Sequence, residues 1–210
     1  MARRGSRRRK GREFFTFTPM PQKSLAIFCG SSSGSHPDYL AAAHATARAL
    51  VERDIRLVYG AGSVGLMGAV ADEVLRLGGT VLGVIPQFLV DMEVGHTGLT
   101  ELIVTETMHE RKLAMAEASD GFIALPGGIG TLEEIIEVFT WTQLGVHHKN
   151  CGLLNVRGYY DHLRGLIEHM VGERFLKAAH AETLFTEEDA GVLIDRILGA
   201  TPKETKKWLG

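Results

Sequence analysis

The sequence Gly121-Phe-Ile-Ala-Leu-Pro-Gly-Gly-Ile-Gly-Thr-Leu-Glu-Glu134 is the strongest indicator of the fold of this chain. Its first five residues form an apolar run of strand length, and the residues from Thr131 onward have helical spacing. Between them, the glycines allow backbone N–H groups to approach an anion closely, and the start of the helix adds its positive dipole end. The sequence therefore predicts a strand, an anion-binding turn and a helix, with the Glu134 carboxylate above the turn.

Apolar runs of strand length alternate with helical segments through the rest of the chain, as in a parallel sheet covered on both faces. We expect strands over residues 25–29, 55–59, 81–85, 101–105, 121–125 and 152–156, and a short one near Leu184. We expect helices over residues 38–53, 65–77, 109–119, 131–144, 159–171 and 188–198. Residues 86–100 have neither period and are predicted to be a loop over the sheet edge. The predicted fold class is α/β, a Rossmann-like, doubly wound, mainly parallel sheet of about seven strands.

Length and composition predict one domain. The chain has 210 residues, of which 45% are hydrophobic and 23% charged, enough for one well-packed core. We assign residues 23–200 to a single nucleotide-binding catalytic domain, and residues 1–22 and 201–210 to tails. The first tail holds seven Arg or Lys and one Glu, but it lacks aromatic interleaving and an amphipathic pattern. We therefore predict a disordered tail, without nucleic-acid or membrane binding, and Met20 is a possible alternative start.

Several classes of protein do not match the composition. No apolar run approaches the ~20 residues that span a bilayer, and the N-terminus has no apolar signal-peptide core, so a cytoplasmic location is predicted. Cys29 and Cys151 both lie in apolar runs and are expected to be reduced core residues. His109, His147 and His148 lack the spacing of metal ligands and are interpreted as solvated or interface residues.

Three glycine-rich turns follow three of the predicted strands. We name them the first turn (residues 29–35, Cys-Gly-Ser-Ser-Ser-Gly-Ser), the second turn (59–68, Tyr-Gly-Ala-Gly-Ser-Val-Gly-Leu-Met-Gly) and the third turn (125–131, Leu-Pro-Gly-Gly-Ile-Gly-Thr). Ligands of open α/β sheets bind beyond the carboxyl ends of the strands, where these turns lie. We therefore expect a nucleotide here, with Ser31, Gly60 and Met67 among its contacts.

Two other interpretations of the turns are open. Gly60-x-Gly62-x-x-Gly65 matches a dinucleotide fingerprint, but the next predicted strand ends Val84-Ile-Pro-Gln87, without the acid that would hold a ribose of NAD. The glycines would also permit close packing of helices on strands. Similarly, Thr131 and Glu134 fit a helix capping box, which would leave the glycines of the third turn unexplained.

Met108-His-Glu-Arg-Lys112 begins the helix that follows the fourth strand, so Arg111 and Lys112 lie near its N-terminus. Cations are unfavourable near the positive end of a helix dipole, so this position indicates an anionic partner. An ion pair with Glu106 or Glu110, or simple exposure, is the alternative. The apolar stripe of the next helix is interpreted as core or as a dimer face, and it comprises Ile135, Ile136, Val138, Phe139, Trp141 and Leu144.

Pro126-Gly-Gly-x-Gly-Thr-x-x-Glu134, together with Arg111-Lys112, resembles the signature of the Lonely Guy family, which are cytokinin riboside 5'-monophosphate phosphoribohydrolases. The resemblance extends from about residue 23 to residue 198 and includes Phe28-Cys-Gly-Ser-Ser32, Val58-Tyr-Gly60, Gly65-Leu-Met-Gly68, Thr140-Trp-Thr-Gln-Leu-Gly145 and Gly152-Leu-Leu-Asn-Val156. Ala61 and the pair His147-His148 depart from the usual family pattern. Relatives were once described as lysine decarboxylases, but no convincing pyridoxal phosphate site is apparent.

The resemblance implies hydrolysis of a purine nucleoside 5'-monophosphate, a cytokinin riboside monophosphate or AMP, to free base and ribose 5-phosphate. It implies catalytic roles for Arg111 and Glu134, a homodimer, and no metal or organic cofactor. Substrate contacts are implied at Glu93, Lys112, Gly127, Gly128, Ile129, Gly130, Thr131, Leu132, Glu133 and Thr140. A module that senses AMP without catalysis and an NAD-dependent oxidoreductase are the alternative functions.

Overall fold

Seven parallel strands form one sheet in the computed structural model, which describes residues 22–92 and 95–201. The strands are β1 (Ser24–Phe28), β2 (Arg56–Tyr59), β3 (Val81–Pro86), β4 (Glu101–Thr105), β5 (Gly121–Ala124), β6 (Asn150–Leu154) and β7 (Leu184–Glu187). Their order across the sheet is β4-β3-β2-β1-β5-β6-β7, and every pairing is parallel. The predicted fold class is confirmed.

Helices cover both faces of this sheet. Within the described residues they are α1 (Pro37–Glu52), α2 (Gly65–Arg76), α3 (Gln87–Asp91), α4 (Met108–Glu117), α5 (Ile129–Leu144), a 3-10 turn (Val156–Gly158), α6 (Asp161–Gly172), α7 (Ala178–Ala181) and α8 (Ala190–Gly199). Apolar residues of α1, α2 and α8 pack on one face, and those of α4 and α5 pack on the other. None of these helices is long and apolar enough to cross a membrane.

The strand order places a topological switch point between β1 and β5. The chain builds outward from β1 through β2 and β3 to β4, and then returns to β5 and builds in the opposite direction. All residues of β1 and β5 are buried, because helices cover both faces of the central strands. Ligands bind in the crevice that such a reversal opens at the carboxyl ends of the strands. The first and third turns leave β1 and β5 at this crevice.

Some predicted boundaries differ from the structure. The sequence predicts a loop over residues 86–100, but Pro86 is the N-cap of the short helix α3, and Gly95 forms an isolated bridge with Gly62. Strand β6 begins two residues earlier than predicted, at Asn150. The buried Asn150 side-chain amide donates to Ile197 O and Ala200 O, at 2.8 and 2.9 Å, so a polar residue can begin a buried strand. Glu93, Met20 and nearly all of both predicted tails lie outside the described residues.

Candidate active site

Backbone hydrogen bonds join the three glycine-rich turns into one site. The N–H of Gly30 in the first turn donates to Pro126 O in the third turn at 3.1 Å. The carbonyl of Gly30 accepts from Leu66 N–H and Met67 N–H in the second turn, at 3.0 and 3.3 Å. Gly65 has a φ of +62°, and a Cβ there would lie 2.3 Å from the carbonyl carbon of Ser31. The turns therefore meet in van der Waals contact, as the sequence predicted for one rim of the sheet.

A cavity of about 640 Å³ lies between these turns. Nine of the fifteen residues predicted for the site line it, namely Ser31, Gly60, Met67, Arg111, Gly128, Ile129, Gly130, Thr131 and Glu134. Four lining residues belong to the turns or the following helix but were not predicted as contacts, namely Cys29, Gly30, Gly62 and Val64. Ile85 and Leu89 also line the cavity. Their place in the site could not be predicted from the sequence, because apolar wall residues belong to no motif.

Arg111 and Glu134 form an ion pair inside this cavity. Arg111 Nη1 lies 2.9 Å from Glu134 Oε1, and only 9% and 12% of their side chains are exposed. Arg111 Nε donates to Val84 O at 3.1 Å, which fixes the guanidinium at the end of β3. The second turn passes very close, since a Cβ on Gly60 would lie 1.9 Å from Arg111 Nη2. A side chain at position 60 would therefore shift the guanidinium from its present place beside Glu134.

The charge of Glu134 reflects two opposing influences. Burial raises the pKa of Glu134 above its ordinary value, and the Arg111 guanidinium partly opposes that shift by stabilising the carboxylate. The result is a carboxyl group with a raised pKa, held by a cation and facing a cavity. Such groups are typical of catalytic acids and bases. Burial also raises the pKa of the Cys29 thiol beside it, so Cys29 is a neutral part of the wall.

The third turn presents backbone N–H groups that have no intrahelical acceptor, because they lie in the first turn of α5. This helix begins at Ile129, two residues before the predicted start, and its N-cap Gly128 makes no side-chain capping bond. The first intrahelical bond here is Leu132 N–H to Gly128 O, so the preceding N–H groups are available to a ligand. The capping-box interpretation of Thr131 and Glu134 is therefore wrong. A capping box is present in α4, through Thr107 and Glu110.

Lys112 does not line the cavity. Its ammonium lies 2.5 Å from Glu133 Oε1 and 2.9 Å from Glu137 Oε2, both on α5. Burial opposes its charge, but hydrogen bonds to Glu133 and Glu137 raise the pKa of Lys112 overall. Glu106 and Glu110, the partners suggested by the sequence for Arg111 and Lys112, are therefore not the ones observed.

The remaining predicted contacts do not line the cavity. They are Gly127, Leu132, Glu133 and Thr140, while Glu93 is outside the described residues. Thr140 lies in the C-terminal half of α5, where its hydroxyl donates to Ile136 O of the same helix at 2.7 Å. In the described residues, no group of three His, Cys, Asp or Glu side chains is arranged to hold a metal ion.

Comparison with known proteins indicates the same protein family as the sequence motifs. A family model described as possible lysine decarboxylase matches residues 67–197. The chain is 47% identical over 180 residues to a cytokinin riboside 5'-monophosphate phosphoribohydrolase of Arabidopsis thaliana, covering 86% of this chain and 79% of that protein. A second Arabidopsis thaliana enzyme with the same name is 45% identical over 86% of this chain and 85% of its own length.

More distant solved structures share the fold. A molybdenum cofactor binding protein from Rippkaea orientalis has a TM-score of 0.64 at 17% identity, covering 86% of this chain and 98% of that one. The Moco carrier protein from Chlamydomonas reinhardtii has a TM-score of 0.63 at 18% identity, covering 85% and 98%. At this identity, the likeness concerns the fold alone.

Proposed function

This chain belongs to the Lonely Guy family of cytokinin riboside 5'-monophosphate phosphoribohydrolases, and we propose that it hydrolyses the N-glycosidic bond of such nucleotides, and of AMP. The bond between the anomeric carbon and the base nitrogen breaks, and a water oxygen bonds to that carbon. The two water protons are shared between the products, one remaining on the new hydroxyl and one balancing the released base. The products are the free base and ribose 5-phosphate. The observation that best supports this reaction is the buried Arg111–Glu134 pair beside the third turn.

Glu134 is the proposed catalytic carboxylate. By analogy with O-glycosides, the breaking bond should leave positive charge on the ribose ring, and a buried carboxylate stabilises such charge strongly. Glu134 also orients or deprotonates the attacking water, because a pKa raised by burial makes it a better base than an exposed glutamate. Arg111 holds the carboxylate in place and favours its ionised form.

The third turn is the proposed site of the 5'-phosphate. The N-terminus of α5 offers backbone N–H groups and its dipole, and Ile129 at its start is 81% exposed toward solvent. Fixing the phosphate at this point would place the anomeric carbon near Glu134, so that binding energy from a remote group positions the reacting one. Lys112 supports the site indirectly, through its ion pairs with Glu133 and Glu137 on α5.

A pyridoxal phosphate reaction, suggested by the description of the family model, does not fit this cavity. That cofactor is held as a Schiff base by a lysine. No lysine lines the cavity among the described residues, and the neighbouring Lys112 is committed to two carboxylates. We therefore derive no step from this cofactor.

We also propose a homodimer. Apolar side chains on α4, on α5 and just after α5 are exposed, with Leu113 and Leu144 each 48% exposed and Val146 at 64%. The predicted stripe on α5 is divided, because Ile135, Val138 and Phe139 are core residues while Ile136 and Leu144 face outward. Such a surface favours a second copy of the chain. Sedimentation at micromolar concentration should give twice the monomer mass, and a monomer would contradict the proposal.

The reaction is tested by incubating the protein with AMP and with isopentenyladenosine monophosphate and separating the products by chromatography. Free base with ribose 5-phosphate is expected. Tight AMP binding without products would indicate a sensing module. Binding of NAD with hydride transfer would indicate an oxidoreductase, although β3 ends at Pro86 without an acidic residue.

A further inference from the structure

Two tyrosines from the connection between β6 and α6 hydrogen-bond the backbone of the third turn. Tyr160 Oη donates to Leu125 O at 2.6 Å, and Tyr159 Oη donates to Gly127 O at 2.5 Å. The carbonyl between them, Pro126 O, accepts from the N–H of Gly30 at 3.1 Å. Three consecutive carbonyls of the third turn are thus each held by a donor from outside it.

Holding a carbonyl also orients the N–H on the other side of the same peptide bond. Peptide bonds are planar, and those of the described residues contain no cis bond, so each N–H points away from the preceding C=O. Because Gly127 O is directed at Tyr159, the N–H of Gly128 is directed away from Tyr159. Gly128 lines the cavity, whereas Tyr159 does not.

We propose that Tyr159 is a positioning residue for the anion site: its hydroxyl sets the Gly127–Gly128 peptide so that the Gly128 N–H donates to the substrate phosphate. This inference rests on the proposed function, because it assigns the phosphate to the third turn. Tyr159 acts through Gly127 and does not itself contact the substrate.

The neighbouring Tyr160 has a different role. Its bond holds the carbonyl of Leu125, and the next residue is Pro126, which has no N–H to orient. Tyr160 is only 1% exposed, and its hydrogen bond satisfies a carbonyl in the core. It therefore serves as a matched control, a phenol on the same turn that supports the fold but orients no donor.

The position of Tyr159 is itself well determined. Asn155, which is buried, accepts from the Tyr160 N–H at 2.7 Å and donates to Asp161 Oδ1 at 2.8 Å. The Tyr159 ring packs edge-on against Tyr160, with centroids 5.1 Å apart, and against Tyr39, at 5.8 Å. These contacts hold the ring, so removing only the hydroxyl tests the hydrogen bond alone.

The test compares Tyr159→Phe with Tyr160→Phe and Tyr39→Phe. For Tyr159→Phe we expect the inhibition constant of ribose 5-phosphate to rise about three- to tenfold, the usual value of one hydrogen bond, with the KM for AMP rising similarly. The inhibition constant of adenine, which has no phosphate, should not change, and kcat should fall less than KM rises. Tyr160→Phe should lower Tm but leave the ratio of the ribose 5-phosphate and adenine inhibition constants unchanged. Tyr39→Phe should change neither Tm nor this ratio.

The inference would be overturned by an unchanged ribose 5-phosphate constant in Tyr159→Phe, or by an equal rise for adenine and ribose 5-phosphate. Its failure is distinguishable from failure of the proposed function. If the unmodified protein released no adenine from AMP, the proposed reaction would be wrong. Calorimetric titration of the same variants with ribose 5-phosphate would still measure the contribution of Tyr159 to anion binding.

Discussion

Replacing Glu134 with glutamine is expected to lower kcat on AMP by about 10²- to 10⁴-fold, the usual contribution of a general base. Glutamine has the same shape and can still accept from Arg111 Nη1, which lies 2.9 Å from Glu134 Oε1. It has no negative charge to stabilise the ribose ring in the transition state and no basicity toward water. KM should change much less than kcat, because the phosphate is bound by the third turn.

Steady-state rates of base release on AMP measure this effect, with Tm recorded to show that the variant folds. The control is the same substitution at Glu117, which is exposed at the end of α4, and its rates should match those of the unmodified protein. A Glu134→Gln variant with kcat within threefold of the unmodified value would remove Glu134 from the mechanism.

Replacing Arg111 with glutamine is expected to lower kcat/KM by about 10²- to 10³-fold, a loss typical of removing one preorganised electrostatic contact. It should also move the acidic side of the pH–rate profile to higher pH. The proposed mechanism needs an ionised Glu134, so the rate falls as the pH drops through its pKa. Burial already raises that pKa and Arg111 opposes the rise, so removing Arg111 raises it further.

The raised pKa of Glu134 also affects the stability of the fold. Between the ordinary Glu pKa of 4.5 and the raised value in the folded protein, the folded state binds more protons than the unfolded state. The contribution of Glu134 to stability is therefore present at low pH and decreases as the pH rises through this window. In Arg111→Gln the window extends to higher pH, which chemical denaturation at several pH values would measure.

A further variant perturbs the Arg111–Glu134 ion pair without changing the charge of either residue. An alanine methyl at Gly60 would lie 1.9 Å from Arg111 Nη2, so Gly60→Ala should displace the guanidinium and lower kcat/KM. Gly165→Ala is its control, because a Cβ at Gly165 would meet nothing within 4 Å.

The pH–rate profile of Arg111→Gln has its own contradicting outcome. If the acidic side of that profile stayed at the same pH as in the unmodified protein, the guanidinium would not control the ionisation of Glu134.

The overall fold could be predicted because its signals are local. Each strand is a short apolar run and each main helix has its own period, so the order of elements follows from the chain alone. The short α3 was missed because five residues between irregular segments have no measurable period. The predicted start of α5 is two residues late because Gly130, a weak helix former, lies inside the first turn of the helix.

The site could be predicted only in part, because side chains meet across elements that are distant in sequence. Arg111 follows the edge strand β4, yet it meets Glu134 on the helix that follows the inner strand β5. This is possible because α4 packs over β3, where Val84 O accepts from Arg111 Nε. The spacing of Glu133 and Glu137, four residues apart on one helix face, is a sequence signal for a cation site, and Lys112 occupies it. Nothing in the sequence indicated that Tyr159 and Tyr160 would bind carbonyls of the third turn.

The central claim is that the Arg111–Glu134 pair cleaves a nucleoside 5'-monophosphate between base and sugar. The most direct test follows adenine and ribose 5-phosphate together over time, with AMP as the sole substrate, for the unmodified protein and for Glu134→Gln. We predict that the unmodified protein releases the two products in equal amounts and that the variant releases almost none. Binding of AMP without release of adenine, or equal rates for both proteins, would contradict the account.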